Sequence, residues 1–203
     1  ARYGERCQLI QTPTGGLEVL TSAKVNGELL HFRQTPSFEW QHQALDTITN
    51  HIGSLSGWFT SFRTNIVYDG LAARYTPDGK LHVLFSLSDQ FGRNVVLGND
   101  CRFNGRYFFN VYHGTLEPNG SFATRPLLNP LRDCVYRAFI SLESKGSDTL
   151  FVTWAERENA RYRFAYSTDA GANWTFETLT QTPTPRAAAP LTRVGDTLHV
   201  LYY

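Results

Sequence analysis

Four stretches of this chain can be laid over one another, and that internal repeat constrains its fold more than any other feature. They are Leu9 to Ala23, Ala72 to Leu87, Phe139 to Glu156 and Pro190 to Tyr203. Each reads as a strand, a Gly- or Asp-containing turn, then a strand opening Leu-x-Val. The matched leucines are Leu17, Leu81, Leu150 and Leu198, spaced 64, 69 and 48 residues apart. A period of about 45 to 50 residues with insertions belongs to propellers and arrays. Short runs alternate apolar and polar residues between Gly, Pro, Asp and Asn, which is the signal of strands. No segment longer than about ten residues carries a clean helical period.

Beyond the hairpin, each unit continues in the same way. After Trp154 come Arg161-Tyr-Arg-Phe-Ala-Tyr-Ser167, a tight turn, and Trp174-Thr-Phe-Glu-Thr-Leu-Thr180. After Ala23, Phe32 aligns with Phe164, Trp40 with Trp174 and Leu45 with Leu179. One repeat is therefore four antiparallel strands, the content of one propeller blade. The expected fold is all-β, a β-propeller or propeller segment of about four repeats within a single domain, 1–203. The blades fall at about 5–48, 68–128 and 134–180, with a partial fourth at 186–203. Residues 49–69 form a long connection, and 99–114 read as an extra hairpin inserted in the second blade.

Composition narrows the function classes. With 203 residues and 41% hydrophobic content the chain can bury one sizeable core. Lys+Arg 19 against Asp+Glu 18 leaves a net charge of +1, so no nucleic-acid partner is expected. No run of 18 apolar residues is present, so no membrane span is expected. The N-terminal segment has no apolar h-region, and the chain opens on Ala1, which reads as a mature or excised piece. An extracellular or secreted location is favoured. Cys7, Cys101 and Cys134 are too few and odd in number for a disulfide framework. They read as small buried residues. A Cys7–Cys134 bridge is the alternative and needs an oxidising compartment.

Ser167-Thr-Asp-Ala-Gly-Ala-Asn-Trp174 fits S-x-D-x-G-x-x-W. Asp169 can accept backbone N–H bonds inside its own turn, Gly171 can take a positive φ, and Trp174 can pack into the sheet. Thr35-Pro-Ser-Phe-Glu-Trp40 reads as a degenerate copy that keeps only the tryptophan. On this motif the chain resembles the sialidase-like β-propellers, the Asp-box or BNR-repeat superfamily. The resemblance covers the third repeat well and the others weakly. It implies six or seven four-stranded blades. It also implies that Ser167, Asp169, Gly171 and Trp174 stabilise a turn away from the catalytic face. The box indicates a blade and not an activity.

Function then belongs to the opposite strand ends. A sialidase-like site would need arginines to clamp a carboxylate, since a planar guanidinium meets it with two parallel bonds. It would also need an acid and an activated Tyr. The candidates are Asp69, Asp133, Tyr136 and Glu156 for catalysis, and Arg63, Arg137, Arg186 and Trp58 for substrate binding. The Phe/Tyr-Arg-Ile-Pro string that opens many sialidases is absent. Asp69, Asp78, Asp148 and Asp196 stand beside glycines and are equally explained as turn residues. His82 and His199 occupy matched positions, the other histidines are scattered, and no metal-ligand spacing appears. No cofactor is expected.

The loops differ from repeat to repeat, which favours one asymmetric site over a symmetric lectin. The reading is a carbohydrate-active protein acting on a glycan or polysaccharide, as a glycoside hydrolase or a polysaccharide lyase. The alternatives are a non-catalytic glycan- or receptor-binding module and a structural or protein-interaction propeller. A homodimer or further blades would complete the ring.

Overall fold

The computed structural model describes residues 7–23, 27–48, 50–51, 66–89, 102–103, 106–127, 140–155, 162–179 and 190–200. They form antiparallel sheets that follow one another along the chain. The first contains β1 (Cys7–Gln11), β2 (Leu17–Ala23), β3 (Glu28–Gln34) and β4 (Trp40–Thr47), in that spatial order. The second contains β5 (Ile66–Tyr75), β6 (Leu81–Asp89), β7 (Arg102–Phe103), β8 (Arg106–Leu116) and β9 (Phe122–Pro126). There β5, β6 and β8 run side by side, and both β7 and β9 pair with β8. The third is β10 (Ser141–Lys145), β11 (Thr149–Ala155), β12 (Tyr162–Ser167) and β13 (Thr175–Thr178), again in chain order. The fourth is the pair β14 (Leu191–Val194) and β15 (Thr197–Val200). The segment read as an inserted hairpin is partly the third strand of its own sheet, because β8 runs unbroken from Arg106 to Leu116.

The first strands stand side by side, β1 against β5, β5 against β10, and β10 against β14. Each contact carries a polar link. Gln8 Nε2 donates to the Ala73 carbonyl (3.2 Å), Arg74 pairs with Glu143 (3.2 Å), and the Leu191 amide donates to Ser141 Oγ (3.0 Å).

The core lies between consecutive sheets. Ile10, Leu20, Leu29 and Leu45 of the first sheet pack against Tyr68, Leu81, Val83, Phe85 and Leu87 of the second. Ala72, Leu84 and Val111 on the second sheet's other face pack against Leu142, Leu150, Val152 and Trp154 of the third. Strand alternation explains the split, since successive side chains point to opposite faces. The matched leucines thus face the preceding sheet. Leu81 and Leu150 are 0% exposed, whereas Leu17, on the uncovered face of the first sheet, is 51% exposed and its neighbour Leu9 62%.

One turn geometry recurs. In 12–16, 35–39, 76–80 and 117–121 the first residue's amide donates to the fifth residue's carbonyl, and the fourth residue's amide to the first's carbonyl. The fourth residue has positive φ in each: Gly15 (87°), Phe38 (63°), Gly79 (83°) and Gly120 (89°). The segment 35–39 therefore repeats the Thr12 turn and not the 167–174 turn, which corrects its reading as a degenerate box. Its threonine hydroxyl even accepts the Glu39 amide (3.1 Å) as Thr12 accepts that of Gly16 (2.8 Å). Cys7 is also corrected. It is a free, exposed thiol at the start of β1, not a buried one. Cys101 and Cys134 lie outside the described residues.

Candidate functional site

The turns at 12–16, 35–39, 76–80, 117–121, 146–148, 168–174 and 195–196 gather at one end of the strands. At this end the residues of 167–174 close on themselves. Ser167 Oγ donates to Asp169 Oδ1 (2.7 Å) and accepts the Gly171 amide (2.8 Å). Asp169 accepts the Asn173 amide (2.8 Å) and side chain (2.7 Å). These bonds, first of all that of the Asn173 amide, hold the Asp169 carboxyl at about 2. Gly171 has φ 84° and lies against the His113 ring, while Trp174 Nε1 donates back to the Gly171 carbonyl (3.1 Å). The four residues expected to be structural thus make one turn of the third sheet that seats on the second.

Histidine chemistry, which the spacing did not disclose, lines the faces between sheets. In the first sheet Glu18 on β2 meets His31 on β3 (2.6 Å). In the second, His82 on β6 meets His113 on β8 (3.0 Å). In the third, Phe151 on β11 stacks on Phe164 of β12, with ring centroids 6.2 Å apart. All three are the same diagonal pair, because His31 stands opposite Leu20, His113 opposite Leu84 and Phe164 opposite Thr153. The Glu18 carboxylate also accepts from Tyr75 of the second sheet (2.6 Å). Burial pushes its carboxyl up, but the bonds from His31 and Tyr75 outweigh that and the net shift is downward. Burial holds His82 at about 4, and burial with the neighbouring His82 holds His113 at about 3.

The opposite strand ends are where catalysis was expected. Here the Asp46 carboxylate at the end of β4 accepts the Thr47 amide (2.9 Å) and Asn50 Nδ2 (2.8 Å), and its other oxygen pairs with His51 Nε2. Phe85 and Tyr112 wall the imidazole, with centroids 5.5 and 4.3 Å away. Tyr68 completes the group. Burial, then the Asp46 charge, raises its phenol far above the ordinary value, so it stays protonated. A carboxylate that fixes one imidazole nitrogen sets the tautomer and the orientation of the ring. Beside the neutral Tyr68 phenol it makes a buried polar cluster at this end of the strands. It also fastens residues 50–51 to the second sheet.

Of the expected site residues, Asp69 lies next to Tyr68 within β5. The register shifts between Tyr68 and Gly70, and the Gly70 amide donates to Ser86 Oγ (2.9 Å). Asp69 is therefore the extra residue of a bulge and not part of a turn, and bulges commonly re-aim the chain beside sites. Arg63, Trp58, Asp133, Tyr136, Arg137, Glu156 and Arg186 lie outside the described residues. No group of three His, Cys, Asp or Glu side chains among the described residues is placed to hold a metal ion. Among the described residues no helix is long and apolar enough to cross a membrane. Sequence reasoning missed Asp46 and His51. The usable signal was an Asp closing a strand with Asn and His four and five residues on.

No family model and no curated relative matches the sequence. Several solved structures share the fold, and two of them show the extent of the likeness. One is the polysaccharide lyase Uly1, at 14% identity and TM-score 0.57, over 96% of this chain and 43% of the lyase. The other is a protein of unknown function from Dyadobacter fermentans, at 12% identity and TM-score 0.59, over 93% of this chain and 58% of that one. The chain thus spans about half the length of these neighbours.

Proposed function

We propose that this chain forms consecutive blades of a carbohydrate-active β-propeller of the sialidase-like type that acts on a polysaccharide. The observation that carries the reading is the fold it shares with a polysaccharide lyase along nearly its whole length. Sheets that follow one another with their first strands side by side suit blades around an axis. The turn at 167–174, between the third and fourth strands of its sheet, is where such propellers carry the Asp-box.

The acting face is the one where Asp46, His51 and Tyr68 stand and into which Asp69 leads. On this reading Arg63, Arg137 and Arg186 meet the acidic groups of the polymer, and Trp58 stacks on a sugar. Asp69, Asp133, Tyr136 and Glu156 are the candidates for proton transfer. The test is cleavage of acidic polysaccharides by Arg137→Ala and Arg186→Ala, with thermal unfolding as the check on folding. Both variants are expected to fold as the parent and to lose most activity. Parental activity in both on every substrate that is cleaved would refute the arginine clamp.

A further inference from the structure

At the turn end of the strands, away from that face, a cleft of about 440 Å³ opens between the first strands of the sheets. Gln8, Arg74, Tyr75 and Arg193 are among its polar lining residues, and Leu9 and Pro77 among the apolar ones. No Asp or Glu lines it among the described residues. The carboxylates nearby are paired, two of them with residues that line the cleft. Glu143 holds Arg74 (3.2 Å), Glu18 holds Tyr75 and His31, and Asp196 is paired with Lys145 (2.9 Å). Glu143 offsets the charge of Arg74, so the net positive charge of the cleft is that of Arg193.

Its side chains are also held in place. The Tyr75 hydroxyl is fixed by a buried carboxylate that His31 fixes in turn. Gln8 is anchored through its Nε2 to the Ala73 carbonyl, which leaves its buried Oε1 without a hydrogen-bond partner. Arg193 uses Nη1 on the Gly195 carbonyl and has further N–H donors to offer.

We propose that this cleft is a second binding site, remote from the acting face, for a carboxylate-bearing sugar unit. Arg193 takes the carboxylate, the Arg74–Glu143 pair stands beside it, and Tyr75 offers its ring to the apolar side of the sugar. This goes beyond the proposed activity, since it assigns binding to the opposite end of the strands.

The experiment is a titration of the protein with trigalacturonate, followed by amide resonances, with neutral maltotriose alongside. Trigalacturonate is expected to shift amides of 73–77 and 193–195 saturably, and maltotriose is not. Arg193→Ala, an exposed position, should weaken binding about tenfold or more with unfolding unchanged. Absence of shifts at these amides, equal shifts with maltotriose, or parental affinity in Arg193→Ala would overturn the proposal. A protein that cleaves polysaccharide yet shows no shift here refutes the cleft alone. One that binds here and cleaves nothing refutes only the activity.

Discussion

Phe38 holds a backbone position that glycine occupies in three sister turns. Its φ of 63° lies in the left-handed region, and its ring is exposed, so no packing offsets the strain. That conformation costs an L-residue about 1–2 kcal/mol, partly offset in a glycine by greater freedom of the unfolded chain. Phe38→Gly should therefore stabilise the protein by about 0.5–1 kcal/mol in urea unfolding. A loss of stability would mean that the turn is not strained. Gly171 is the reverse case. A Cβ there would stand 2.2 Å from His113 Cε1, at φ 84°. Gly171→Ala combines left-handed strain with overpacking and should cost about 2–4 kcal/mol. Gly120→Ala has the same sign of φ but nothing within 4 Å, so it reports the strain alone.

At the scale of elements, the diagonal pair between second and third strands is the repeated device, with its chemistry changing from Glu–His to His–His to Phe–Phe. The His82–His113 pair makes stability depend on pH. Both rings titrate near 6.5 when unfolded and at about 4 and about 3 when folded. The folded state thus binds fewer protons below 6.5, and stability is full above that pH and lost as pH falls toward 4 and 3. Each ring should cost about 2 kcal/mol by about pH 5. Unfolding measured from pH 7 to 4 should show the fall, and His82→Leu should flatten it; an equal slope in that variant would place the acid sensitivity elsewhere.

The hairpins themselves were legible in the sequence, because alternation and turn chemistry are local. So was the turn at 167–174, whose side-chain bonds all close within eight residues. The pairs were not. Glu18 and His31 are 13 positions apart and His82 and His113 are 31 apart, because the loops between matched strands differ in length. No fixed spacing survives that variation. Asp46 and His51 escaped notice because their pairing depends on the chain turning back after β4.

For the whole molecule, each sheet is half of a core that its neighbour completes. Equivalent leucines then have unequal value. Leu81→Ala and Leu150→Ala remove fully buried side chains between sheets and should cost about 2–5 kcal/mol each. Leu17→Ala, at the matched position on the uncovered face, should cost about 0.5 kcal/mol or less. Equal losses at all three would contradict face-to-face stacking in chain order. The same stacking brings Asp46 and His51 of the first sheet's end to Tyr68 of the second, so the candidate site exists only where two sheets meet. Its central claim, action on a polysaccharide, is tested most directly by incubating the protein with a panel of acidic and neutral polysaccharides. Chain length would be followed by size-exclusion chromatography, and new unsaturated ends by ultraviolet absorbance. The account predicts shortening of at least one acidic polymer, with unsaturated ends marking elimination and their absence marking hydrolysis. A panel left at full length throughout, with no polymer retained by the immobilised protein, would contradict it.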